Sequence, residues 1–298
     1  MTIVDKDTKK ASWRRRILRL IRSAAVVYLL VMVCMMFLEN ALIFFPSRYP
    51  DGDWKPLGLN FEDAWFQAAD GTKLHGWYVP CEKSQGGSKG TVPFSLTRKS
   101  GQSPILFCHG NAGNITNRAE ILEQIHNTAG ASVFIFDYRG YGRSEGKPNE
   151  AGILSDARAA RAWLAEREKI PEKDIVVMGE SLGGAVAVDL AANDGAKGLV
   201  LISTFTSAPD VAAYHYPIFP VRLLMRTRLD AVGQIANYKG PLLQMHGEAD
   251  TIVPFKLGRR LFDAANEPKQ LLVFPQHDHN DMPPEEFFDA LKDFLKKI

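Results

Sequence analysis

The sequence predicts a parallel, doubly wound α/β sheet with helices on both faces, preceded by one transmembrane helix. Three observations carry that expectation. From residue 104 onwards, short apolar runs rich in β-branched residues alternate with helix-length segments, the pattern of successive βαβ units. Nucleophilic, basic and acidic side chains cluster directly after those runs, at the sheet edge where open α/β folds bind ligands. A charge-free stretch, 23–38, follows a strongly basic N-terminus.

Composition narrows the classes. The chain has 298 residues, 46% of them apolar. That excludes a wholly disordered chain and leaves enough, beyond the N-terminal segment, for one large domain. The net charge of +2 hides an asymmetry. Residues 1–22 hold eight Lys/Arg against two acids, and the remaining 28 bases and 32 acids leave the rest at −4. A mildly acidic globular part argues against a nucleic-acid partner. Cys34, Cys81 and Cys108 show neither metal-ligand spacing nor a disulfide framework. Cys108 ends an apolar run and reads as a buried free thiol; a Cys81–Cys108 bridge is an open alternative.

The elements follow in chain order. Residues 1–16 are a basic head and 17–39 an anchor. The sixteen charge-free residues make about 24 Å of helix, short of the ~30 Å hydrocarbon core. Ile17, Leu18, Leu20 and Ile21 lengthen the run, with Arg19 and Arg22 snorkelling to the head groups. Trp13 on one side and Phe44, Phe45 and Tyr49 on the other fit interfacial belts. A cleaved signal competes, but Glu39-Asn40-Ala41 is a poor cleavage site. A lipoprotein signal ending at Cys34 needs a small residue where Val33 stands, and a buried core helix does not carry so basic a flank. The positive-inside rule then keeps the N-terminus cytoplasmic and puts the domain on the far side, periplasmic, lumenal or extracellular.

The domain spans 40–298. Residues 46–60, rich in Pro and Gly, read as a linker. Residues 61–67 and 73–79, joined through Asp70-Gly71, read as a β-hairpin, and the polar stretch 82–103 as a long loop. Strands follow at 104–108, 132–136, 174–178, 198–202, 242–245 and 270–274. Helices follow at 117–127, 151–167, 184–192, 254–265 and 285–297. Residues 203–240 are irregular, aromatic and basic, and form a small lid region. There Tyr214, Tyr216, Phe219, Leu223, Leu224 and Met225 either line an acyl pocket or pack the lid onto the sheet.

Chemistry centres on Gly179-Glu180-Ser181-Leu182-Gly183, between the strand 174–178 and the helix 184–192. G-x-S-x-G in a strand-turn-helix context is a nucleophile elbow. The turn holds Ser181 in a strained conformation that the glycines two before and two after accommodate. The helix N-terminus behind it favours developing negative charge. A serine hydroxyl needs a base. His279, after the last strand, is assigned that role, with His277 as the alternative. Asp250, after the strand 242–245, would fix the imidazole tautomer, with Glu248 as the alternative. Ser181, Asp250, His279 is the chain order expected for an elbow serine. The oxyanion hole needs two backbone donors: Leu182, next to the nucleophile, and Asn111, in the turn after the strand 104–108, with Ala112 as second choice. His109 reads as a packed structural histidine.

Taken together, Cys108-His109-Gly110-Asn111-Ala112-Gly113-Asn114, Asp137-Tyr138-Arg139-Gly140-Tyr141-Gly142-Arg143-Ser144, the elbow, His246-Gly247-Glu248-Ala249-Asp250 and His279-Asn280-Asp281 resemble the α/β-hydrolase superfamily. With Phe44-Phe45-Pro46-Ser47 they resemble, more narrowly, its single-pass, N-terminally anchored serine hydrolases with a small lid. The resemblance covers about residues 40–298. It implies an eight-stranded, mostly parallel sheet, no cofactor, and cleavage of an acyl bond through an acyl-serine. Members act on carboxylic esters, thioesters, acylglycerols and sometimes peptides. The expected substrate is a small-molecule or lipid-like acyl ester, and a binding protein that has kept the fold is the non-enzymatic alternative. Two features depart from the pattern: the loop 82–103, and Gln276-His277-Asp278 ahead of His279, where a small residue is expected.

Overall fold

A computed structural model describes residues 3–81 and 102–298, so nearly all of the expected loop 82–103 lies outside the described residues. Eight strands form the main sheet: β1 (Glu62–Gln67), β2 (Lys73–Val79), β3 (Ile105–Cys108), β4 (Val133–Phe136), β5 (Val176–Glu180), β6 (Gly198–Ile202), β7 (Leu242–Gly247) and β8 (Lys269–Phe274). Across the sheet they run β8-β7-β6-β5-β3-β4-β2-β1. The expected hairpin β1–β2 is antiparallel, β2 pairs antiparallel with β4, and every other pairing is parallel.

Parallel strands covered on both faces should be near-continuously apolar, and β3, β4 and β6 are. In β3, Ile105 and Phe107 face one core while Leu106 and Cys108 face the other; in β4, Val133 and Ile135 oppose Phe134 and Phe136 in the same way. The helices α1 (Ile3–Phe37), α2 (Glu39–Ile43), α3 (Ala119–Ala129), α4 (Glu150–Glu168) and α5 (Leu182–Asp194) precede residues 203–240. That region holds α6 (Ala208–His215), α7 (Val221–Leu224) and α8 (Ala231–Gln234), and α9 (Phe255–Ala264) and α10 (Glu285–Lys297) follow it. Leu122 and Ile125 of α3 share a core with Phe287 and Leu291 of α10. Residues of α4, α5 and α9 fill the other face. Residues 203–240, expected to be irregular, thus hold three short helices.

Cys108 is the fully buried free thiol that the sequence led one to expect, its pKa pushed up by burial; the alternative bridge to Cys81 does not form, and Cys81 Sγ donates to the Gly130 carbonyl at 2.9 Å. One expectation is corrected: 46–60 is not a plain linker. Phe45–Pro46 pairs in parallel with Ala112–Gly113, and Tyr49 N–H donates to the Gly142 carbonyl at 2.9 Å. Buried Phe44 and the Asn114 amide, which donates to the Ser47 and Asp51 carbonyls, hold the segment to the domain. Proline prevents a long ladder, but the other peptide groups still find partners.

Within α1, Trp13–Phe37 is long and apolar enough to cross a membrane: an 18-residue stretch of it has a mean hydropathy of 2.3, and none of that stretch is buried in the protein. The helix breaks at Leu38, and Glu39, expected as the anchor's last residue, instead opens α2 and is buried against the domain.

Candidate active site

Ser181 stands on the turn between β5 and α5 with φ +52°, a conformation that L side chains rarely adopt. Neighbours hold it there. Its N–H donates to the Ile202 carbonyl at 2.9 Å, and its carbonyl accepts from Gly184 N–H at 3.0 Å and Thr204 Oγ1 at 2.5 Å. The elbow glycines serve close approach: a Cβ on Gly179 would strike the Gly183 carbonyl, and one on Gly183 the Cys108 carbonyl.

The C-terminal edge of the sheet brings Ser181, Asp250 and His279 together. His279 Nδ1 lies 2.7 Å from Asp250 Oδ2. A carboxylate accepts only, so Nδ1 carries the proton and Nε2 is left to accept from Ser181 Oγ at 3.0 Å. Asp250 is buried and held rigid: Oδ1 accepts from the backbone N–H groups of Ile252 and Val253 at 3.0 and 2.6 Å. Burial alone would raise its pKa, but the side-chain hydrogen bonds from His246 and His279 and the Val253 N–H outweigh it and hold the carboxyl at about 2. The alternatives lie elsewhere. Glu248 is exposed, and the His277 ring packs on Phe274. His109 is fully buried, its Nδ1 2.7 Å from the Gly110 carbonyl, and burial lowers its pKa to about 3.

Asn111 and Leu182 both border the cleft beside Ser181, a cavity of about 380 Å³. The Asn111 loop is fastened on three sides. Tyr141 Oη and Phe45 N–H donate to its carbonyl at 2.7 and 3.3 Å, and its side-chain amide donates to the Ile43 carbonyl at 2.6 Å. Arg118 also lines the cleft, pairing with Glu180 at 3.0 Å and donating to the Ala112 carbonyl at 2.8 Å. Of the residues named from sequence in 203–240, Tyr216 and Met225 line this cleft and Tyr214 and Leu223 do not; Tyr214, Tyr216 and Leu223 are all exposed.

Sequence reasoning missed two supports. His246 Nε2 lies 2.9 Å from the Val253 carbonyl and 3.3 Å from Asp250 Oδ2; Gly258 on α9 leaves the ring its room. Asp278, at a position expected to be small, ties the His279 loop to the Asp250 loop. Its Oδ1 accepts from Thr251 N–H at 2.8 Å, from Thr251 Oγ1 at 2.9 Å and from His279 N–H at 2.7 Å. These hydrogen bonds, led by that from the Thr251 N–H, lower its pKa. Asp278→Ala is expected to lower kcat by up to about 10²-fold by loosening the imidazole, with Asp278→Asn restoring most of it. Equal kcat in wild type and Asp278→Ala would show that the loop needs no such tie.

The sequence pattern of the alpha/beta hydrolase fold family matches residues 103–230. The uncharacterized protein Rv2307c of Mycobacterium tuberculosis is 39% identical over 277 residues, covering 91% of this chain and 93% of its own. The alpha/beta hydrolase domain-containing protein WAV2 of Arabidopsis thaliana is 34% identical over 243 residues, 76% of this chain and 74% of its own. Among solved structures, the Pyrococcus furiosus esterase Pf2001 superposes with a TM-score of 0.66 at 21% identity, over 85% of this chain and 98% of that one.

Proposed function

The chain belongs to the α/β-hydrolase fold family, and within that family we propose a membrane-anchored serine hydrolase that cleaves carboxylic acyl esters, lipid-like ones included. The observation that carries this reading is the hydrogen-bonded series Ser181–His279–Asp250 at the edge of an open cleft. In the proposed reaction His279 Nε2 takes the Ser181 proton as Oγ attacks the ester carbonyl. The oxyanion forms beside the N–H groups of Asn111 and Leu182, at the N-terminus of α5. Collapse expels the alcohol, which leaves with the proton from His279. Water, deprotonated by the same imidazole, then releases the acid and regenerates Ser181. Asp250 stabilises the imidazolium throughout.

In the same reading 1–16 is a cytoplasmic head, 17–39 the anchor and 40–298 the hydrolase domain on the non-cytoplasmic side, with 203–240 as its lid. The asymmetry of Lys and Arg around the span supports that orientation, and protease access to the domain in sealed membranes tests it. Structural neighbours that are esterases, Pf2001 and an acetyl xylan esterase of Paenibacillus among them, support an ester over a peptide as substrate. The full chain in detergent is expected to hydrolyse p-nitrophenyl butanoate and to leave peptide p-nitroanilides intact. The reverse preference would replace the esterase reading with a peptidase one.

A further inference from the structure

The catalytic cleft continues past Ser181. Leu42, Ile43, Ala212, Tyr216 and Met225 line it, and the same five residues line a second, apolar cavity of about 320 Å³. That cavity lies between the membrane helix and the lid. Met32, Met35 and Met36 form one wall, and Phe219, Val221 and Leu224 the other. The methionines recur at three- and four-residue spacing, which puts them on one face of α1. They are half-buried, and Glu39, just past the helix break, is buried, whereas Val33, Phe37 and Leu38 are exposed.

The lid is fastened to α1 and its exit at both ends of this cavity. The Glu39 carboxylate accepts from the backbone N–H groups of Arg226 and Thr227, at 2.9 and 2.6 Å. About three turns earlier, Tyr28 Oη donates to the Ile218 carbonyl at 2.8 Å, and its ring stacks on Phe219 at 5.4 Å. Tyr28 lies nine residues, about 13 Å of helix, inside the end of the apolar span at Phe37. The lid tip therefore reaches hydrocarbon depth when α1 spans a bilayer. Tyr216, Ile218 and Leu223 there are 51%, 72% and 83% exposed, and Arg222, exposed beside Leu223, is paired with Asp210 at 2.9 Å. Such apolar side chains sit favourably among lipid chains.

The lining identifies the occupant. Glu39, its carboxylate, is taken up by backbone N–H groups, so a polar ligand would lose more hydration than it recovered. Methionines adapt to a flexible apolar chain. Resting on the serine-hydrolase reading, we propose that this cavity is the acyl subsite for a bilayer-borne carboxylic ester. Its long chain runs from Ser181 past Ile43 and Met225 into the groove between α1 and the lid, and it arrives from the hydrocarbon rather than from water. The membrane helix is then a wall of the substrate site as well as a tether.

The test uses the full chain in phosphatidylcholine vesicles, with p-nitrophenyl hexadecanoate and butanoate as substrates. Met36→Trp and Leu224→Trp fill the groove from opposite walls. Each is expected to lower the hexadecanoate-to-butanoate ratio of kcat/KM at least about tenfold. Leu29→Trp, on an exposed face of α1, is expected to leave the ratio alone. Labelling by a short-chain fluorophosphonate reports an intact nucleophile in each variant. An unchanged ratio in both groove variants, or a wild type that prefers butanoate, overturns the subsite while the triad reading stands. A wild type that neither cleaves nor labels overturns both.

Discussion

Replacing Ser181 with alanine is expected to lower kcat for an acyl ester by about 10⁶-fold while leaving the melting temperature close to that of wild type. The rate falls because Oγ forms the covalent bond in the proposed reaction, and water in its place lacks both its position and its proton acceptor. The fold survives because the elbow is held by backbone bonds, from Ser181 N–H to Ile202 and from Gly184 N–H and Thr204 Oγ1 to the Ser181 carbonyl. Alanine keeps all three and carries the same Cβ at φ +52°. His279→Ala is expected to cost as much, and the double variant no more than either single one, because nucleophile and base act as a unit. Losses that multiplied would mean that the two side chains work independently. Steady-state kinetics and thermal melts of the three variants decide between these outcomes.

Asp250→Asn is expected to lower kcat by about 10⁴-fold. The amide is isosteric, and its oxygen can still accept from the Ile252 and Val253 N–H groups, so the turn is retained. The change falls on the atom 2.7 Å from His279 Nδ1. An NH₂ there faces a donor, so the imidazole moves its proton to Nε2 and can no longer accept from Ser181. The buried carboxylate also contributes to stability. With its pKa held at about 2, against roughly 3.9 in an unfolded chain, that contribution is complete above the unfolded value. It is lost as the pH falls towards the folded one. The wild type is therefore expected to be stabilised over Asp250→Asn at neutral pH, with the gap in melting temperature narrowing as the pH falls below about 4. A gap that widened in acid would reverse the sign of the argument.

The residues proposed to do the chemistry could be named from sequence because their signals are local. An elbow needs glycine where a Cβ has no room, and Gly179 and Gly183 sit at those places. The triad order follows from strands that each end at one sheet edge. The central strands β3, β4 and β6 were legible because burial on both faces leaves a continuous apolar run. What was not legible depends on contacts between distant segments. Residues 46–60 have a linker's composition, and only Ala112–Gly113 across the gap makes part of them a strand. The lid helices are too short to show a period. Asp278 stands in a loop where sequence offers no reason for a carboxylate, and its purpose appears only when Thr251 is beside it. Met32, Met35 and Met36 are hidden for a further reason: in a run where every residue is apolar, hydropathy cannot say which face meets protein and which meets lipid.

The most direct measurement of the central claim is the mass of the intact full chain after treatment with a fluorophosphonate, with the site of modification mapped. The expected result is a single adduct on Ser181, absent from Ser181→Ala and formed far more slowly in Asp250→Asn. A folded chain that takes no adduct, or that takes it on another serine, would contradict the claim that Ser181 is an activated nucleophile.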